Sequence, residues 1–164
     1  MESATQKTTK TATIISPEEA RCYRQMGGGE ARLMVTGEQT SGAWWMGRFS
    51  EDPGFMTPLH YHPQSDEQMY VLEGVLSVYA DDEWYELGPG TLALLPHGKP
   101  HAQGNRSSKP VEFIGSGTPA GFENLFSAVD ALMKRLKPGT PEFMAEIQEI
   151  TRRCDMVIVG PPPE

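Results

Sequence analysis

The chain is short of positive charge, of cysteine and of long apolar runs. Among its 164 residues, 14 Lys and Arg face 22 Asp and Glu, a formal net charge of −8. A surface of that sign repels phosphate backbones and anionic headgroups, so neither nucleic acid nor a membrane is expected as a partner. No apolar stretch approaches the roughly 20 residues that a membrane-spanning helix needs. The opening stretch, MESATQKTTKTATII, is polar and Thr-rich, with no hydrophobic segment of signal-peptide length. A mobile N-terminal tail and a cytoplasmic protein are the expectation. Cys22 and Cys154 lie far apart and fit no CxxC pattern, so they are read as free thiols. Histidine is scarce too: there are 4 in the chain, and their placement is therefore informative.

What is present reads first as strands. Turn residues punctuate short apolar runs from Gly27 to about Gly117. Candidate strands cover residues 31–36, 43–49, 59–62, 67–72, 75–79, 83–87, 91–95, 101–103 and 111–114. Glu73-Gly74 and Asp81-Asp82 are tight-turn signals between paired strands. The acidic clusters Glu51-Asp52 and Asp81-Asp82-Glu83 read as solvated turns. Many short strands broken by Gly and Pro argue for an antiparallel sandwich or barrel, and the chain is long enough for one such domain with a pocket in it.

The period changes after Pro119. Phe122, Leu125, Phe126, Val129, Leu132, Met133 and Leu136 recur at helical spacing. Lys134, Arg135 and Lys137 load the end of that helix, and Pro138-Gly139 stops it. Thr140 is placed as an N-cap with Pro141 in the first turn of a second helix, whose apolar stripe is Phe143, Met144, Ile147 and Ile150. Residues 156–159 read as a short strand. The expected organisation is a flexible tail and lead-in over 1–27, a β-barrel over 28–118, and C-terminal helices and tail over 119–164. The helices are expected to pack on the outside of the barrel or to cover one opening. Their apolar stripe is read as packing or a dimer contact.

Three of the four histidines sit near one glutamate. His60 and His62 are two apart, which in a strand turns both rings to one face. Glu67 follows after a short polar turn, so a neighbouring strand can bring its carboxylate alongside. His101 must reach the same point through the fold. Three imidazoles and a carboxylate suit one divalent transition metal, Fe, Mn, Co, Ni, Cu or Zn, and leave coordination positions open. His97 is read as a surface residue.

These residues stand in two stretches, Gly54-FMTPL-His60-Tyr61-His62-PQSD-Glu67-QMYVLE-Gly74 and Gly90-TLALL-Pro96-His97-Gly98-Lys99-Pro100-His101-AQG-Asn105. Together they resemble the paired signature motifs of the cupin superfamily, with every fixed position filled. Looser likeness at Thr36-Gly37, Thr40-Ser41-Gly42, Pro119 to Glu123 and Gly160-Pro161-Pro162 is similar to small single-domain quercetin-dioxygenase-like cupins, and covers the chain from about Gly28. The resemblance implies an all-β, cupin-type barrel (jelly roll) with C-terminal α-helices. It implies metal ligation by His60, His62, Glu67 and His101, a further role for Glu67 as catalytic base, and a homodimer. The remaining motif residues, Gly54, Gly74, Gly90, Pro96, Gly98 and Asn105, are read as serving turn geometry and fold.

Pocket candidates are Met56, Met69, Trp44 and Phe113. Met69 shares the face of Glu67 by strand alternation. Alternation leaves open whether Trp44 and Met46 or Trp45 and Gly47 face inward. The expected activity is oxygenation of a small phenolic or flavonol-like compound, with dioxygen as co-substrate. The alternatives are a non-oxidative enzyme using the same metal as a Lewis acid, such as an isomerase, dehydratase, decarboxylase or hydrolase, and a module that binds a small ligand without changing it. The fold alone selects none of these.

Overall fold

The computed structural model describes residues 12–164; the Thr-rich stretch at residues 1–11 lies outside the described residues. The elements run β1 (Arg21–Arg24), β2 (Glu30–Val35), α1 (Gly37–Thr40), β3 (Trp45–Glu51), β4 (Leu59–Tyr61), β5 (Asp66–Glu73), β6 (Leu76–Ala80), β7 (Glu83–Leu87), β8 (Leu92–Leu95), β9 (His101–Gly104), β10 (Val111–Thr118), α2 (Asn124–Arg135), α3 (Pro141–Arg153) and β11 (Val157–Gly160). They form a six-stranded sheet, β1-β2-β3-β10-β5-β8, and a five-stranded sheet, β11-β4-β9-β6-β7. Every strand pair is antiparallel. This is the jelly-roll barrel with C-terminal helices that the strand pattern and the motifs imply.

Alternation along the strands builds the interior. On β3 the buried positions are Trp45, Gly47, Phe49 and Glu51, and on β10 they are Val111, Phe113, Gly115 and Gly117. Large rings on one strand lie against missing side chains on the next. A Cβ at Gly117 would lie 2.4 Å from Trp45 Nε1, and one at Gly115 would lie 2.7 Å from the Phe49 ring. The Asp81-Asp82 turn joins β6 to β7 with both residues at positive φ, 50° and 64°, the twist that suits a tight hairpin. Among the described residues, no helix is long and apolar enough to cross a membrane.

The two longer helices form where their signals stand. Thr140 Oγ1 accepts the Phe143 N–H at 3.3 Å, with Pro141 in the first turn. Leu132, Phe143, Ile147, Ile150 and Cys154 bury one another between α2 and α3, each apolar side chain contributing about 1.5–3 kcal/mol. Cys154 is buried, Cys22 is exposed, and both are free thiols.

Three features differ from the sequence reading. The sheet begins inside the segment taken as tail and lead-in: β1 pairs with β2 from Arg21 opposite Leu33 to Arg24 opposite Glu30. Its mixed RCYR sequence carries no alternating apolar signal, because an edge strand buries little. The short α1 forms where only turns were read; Thr36 and Gln39 close a capping box there. The C-terminal segment does more than pack on the barrel, since β11 joins the second sheet beside β4.

Candidate metal centre

The four motif residues converge inside the barrel. His60 on β4 lies directly opposite His101 on β9, with ring centroids 4.4 Å apart. His62 follows just after β4, its ring 5.3 Å from that of His60. Glu67 is on β5, in the other sheet. The strand that brings its carboxylate alongside the histidines thus faces them across the barrel interior and is not hydrogen-bonded to β4 or β9. One ligand atom from each residue lies within 4.8 Å of all the others. His60, His62, Glu67 and His101 are 2%, 1%, 6% and 1% exposed, so bulk water offers them little competition.

The second nitrogen of each ring fixes its tautomer. His60 Nδ1 donates to the Pro58 carbonyl at 2.8 Å, His62 Nδ1 to the Asp155 carbonyl at 2.7 Å, and His101 Nδ1 to the Lys99 carbonyl at 3.0 Å. A carbonyl only accepts, so Nδ1 carries the proton and Nε2 presents a lone pair to the centre. Glu67 Oε2 is 3.3 Å from Nε2 of both His62 and His101. His62 Nε2 is buried without a hydrogen-bond partner. Three imidazole Nε2 atoms and a carboxylate converge on one point, where a shared cation would satisfy all four. The donor set fits a divalent transition metal, and the carbonyls behind the rings are the supports such ligands use.

The electrostatics agree for His60 and Glu67, whereas His62 is drawn toward its charged form. Burial, reinforced by His101, pushes the His60 imidazole down to about 3. Burial alone would raise Glu67, but the His101 and His62 rings against its carboxylate reverse this and hold it well below the usual range. Burial opposes a charge on His62, yet the Glu67 carboxylate overrides it and draws the pKa up. A neutral His60 and an ionised Glu67 are the states that ligate a metal.

A cavity of about 140 Å³ opens from His60 and Glu67. Met56, Met69 and Phe113 line it. Trp44 does not: it is 42% exposed, and Trp45 takes the inward position. The phase of β3 is set by Trp45 and Phe49, whose rings lie against Gly117 and Gly115 of β10, so Trp44 falls outside the strand and does not line this cavity. The opposite wall comes from a stripe that the sequence assigned to packing. Phe122, Leu125, Phe126 and Val129 line the cavity, with Ile147 and Thr151 from α3. Phe122 also packs edge-on against His62, centroids 4.5 Å apart. The aromatics in that stripe were the available signal, but periodicity cannot separate a ring facing a cavity from one facing a core.

Glu51 is not part of a solvated turn. It is 0% exposed, with neither carboxylate oxygen hydrogen-bonded. It closes β3 at an inward position, whereas its acidic neighbour Asp52 is exposed as a turn residue should be. Asn105 does hold the fold: its Nδ2 donates to the carbonyls of Glu51 at 2.9 Å and Lys109 at 2.7 Å.

Comparison with known proteins agrees with this architecture. The cupin domain family model matches residues 47–116, which contain both motifs. The tetracenomycin polyketide synthase protein TcmJ of Streptomyces glaucescens is 31% identical over 106 residues, 63% of this chain and 68% of that protein. Quercetin 2,3-dioxygenase of Bacillus subtilis is 35% identical over 72 residues, 44% of this chain but 21% of that protein. The polyketide cyclase RemF of Streptomyces resistomycificus shares the fold, with a TM-score of 0.57 at 21% identity over 66% of this chain and 80% of that one. The chain belongs to the cupin family. It carries a buried His-His-Glu-His group that could hold a metal ion.

Proposed function

We propose that the protein is a metal-dependent enzyme that ionises the hydroxyl of a small phenolic or enolic compound and oxygenates it, with His60, His62, Glu67 and His101 as ligands and Glu67 as base. The observation that carries this reading is the buried ligand cluster opening directly onto an apolar cavity. At about 140 Å³ that cavity is close to one known to take a benzene ring. A one-ring phenol or a compact enolisable diketone fits that space better than a full flavonol.

A divalent transition metal bound there supplies positive charge that lowers the pKa of a hydroxyl brought beside it. The protein does the rest. Phe113, Met69 and Phe126 hold the apolar body of the substrate and exclude water. The Glu67 carboxylate, kept ionised by its imidazole neighbours, accepts the hydroxyl proton. The electron-rich anion is then open to dioxygen in a dry site. The second reading, non-oxidative cyclisation or isomerisation of the same class of compound, is favoured by the likeness to TcmJ, a polyketide synthase protein. Both begin with the same proton transfer.

The test is oxygen uptake by protein loaded separately with Fe, Mn, Co, Ni, Cu or Zn, against a panel of monocyclic phenols and 1,3-diketones. Conversion that consumes dioxygen supports oxygenation. Conversion under strict anaerobiosis, to a product of equal mass or one less water, moves the protein to the second reading. Glu67→Gln is expected to lower turnover about 100- to 10,000-fold, the usual range for a lost general base, and to lower metal content less. Full turnover in that variant refutes the base.

A further inference from the structure

The metal centre is completed from outside the residues that the cupin model matches. Asp155 follows the Cys154 C-cap of α3 and stands in the left-handed region at φ 55°. The Met156 N–H returns to the Thr151 carbonyl at 2.9 Å. That bond closes a Schellman-type helix stop, whose left-handed residue is usually glycine because it has no Cβ to clash. Aspartate tolerates the conformation less well than glycine. Its side chain has a use here that glycine cannot supply.

The Asp155 carboxylate accepts the Gln64 N–H at 3.2 Å and the Ser65 N–H at 2.9 Å. Its own backbone carbonyl accepts His62 Nδ1 at 2.7 Å. One residue therefore grips both sides of the turn that carries a ligand. The chain then runs on into β11, which sets Ile158 opposite His60. Two of the three imidazoles are thus braced by the C-terminal segment, in addition to their own sheet.

We propose that Asp155 is a positioning residue of the metal centre, which fixes the ring plane and tautomer of His62 from the end of α3 and so sets the affinity for metal. This rests on the metal reading under Proposed function. The carboxylate holds the backbone of the 62–65 turn, the carbonyl holds the ring, and Nε2 is left aimed at Glu67. Without the carboxylate, the turn and the helix end move independently and the ring loses its fixed direction. Partners behind metal-bound histidines typically change metal affinity 10- to 100-fold.

Asp155→Gly separates positioning from folding, because it eases the helix stop while deleting the carboxylate. Co²⁺ is the probe, titrated against a competing chelator and followed by its visible absorption. The metal-free protein is examined in parallel by long-range ¹H–¹⁵N NMR of the His62 ring. Asp155→Gly is expected to bind Co²⁺ about 10- to 100-fold more weakly, with no fall in thermal midpoint and with His62 shifted from the Nδ1–H form toward a tautomer mixture. Asp155→Asn, which keeps an acceptor oxygen, is expected to recover most of the affinity. Wild-type Co²⁺ affinity in Asp155→Gly overturns the proposal. So does a loss of affinity that tracks a loss of thermal stability, since Asp155 would then be structural only. Failure of the wild type itself to bind Co²⁺ sinks the metal reading instead. The metal-free spectra then decide the positioning role: an unchanged His62 signal overturns it, and a tautomer mixture in Asp155→Gly supports it.

Discussion

Replacing Glu51 by glutamine should make the protein more stable relative to wild type as pH rises, and the magnitude follows from where Glu51 sits. Its carboxyl is fully buried with neither oxygen hydrogen-bonded. Burial pushes its pKa from 4.5 up to about 8; the Gln103 side chain opposes this and the Glu67 carboxylate adds to it. In the unfolded chain the group loses its proton near pH 4.5, while in the fold it keeps the proton to about pH 8. Between those values the native state binds one proton more, so stability falls with rising pH, by about 1.4 kcal/mol per pH unit. The cost reaches about 3 kcal/mol at pH 7, is complete near pH 8 and disappears below the unfolded pKa. Glutamine has no proton to lose. Burying its amide imposes a penalty of its own, but one that does not change with pH. The difference in unfolding free energy between variant and wild type, from urea titrations at pH 5, 6, 7, 8 and 9, should rise steadily to about pH 8 and then level off. A flat difference across that range would refute the buried neutral acid.

Two further outcomes follow from the site and the core. His60→Ala, His62→Ala and His101→Ala should each remove most bound metal, because each deletes one of the four proposed ligands; one metal per chain in those variants, by elemental analysis, would sink the assignment. Trp45→Ala should cost about 3–5 kcal/mol as a cavity in the core, whereas Trp44→Ala should change stability by less than about 0.5 kcal/mol. Chemical unfolding that ranks the two the other way would reverse the inward face assigned to the start of β3.

The strands show what local pattern can carry. Nine strand segments read from the sequence overlap β2 through β10, because half-buried strands alternate and their turns need Gly or Asp at positive φ. Met69 was placed correctly relative to Glu67 for the same reason: two residues on one strand share a face. Trp44 and Trp45 show the limit. Adjacent tryptophans fit alternation in either phase, and only the β10 glycines, some 70 residues away, decide which ring has room. Glu51 failed for a related reason. A carboxylate beside an aspartate in a Pro-Gly turn looks solvated, yet the strand carries one residue further and turns it inward.

The sequence by itself determined the four residues of the candidate centre and the barrel that holds them, since the ligand types, their spacing and the strand alternation are local properties of the chain. Tertiary structure decided what surrounds them. It brought Glu67 across from the opposite sheet, made a cavity wall of the Phe122 to Val129 stripe, and set Asp155 behind His62. Those relations join residues tens of positions apart, and they exist only once both sheets have closed and the C-terminal helices have packed against them. Periodicity records which face of an element is apolar; it does not record what that face meets.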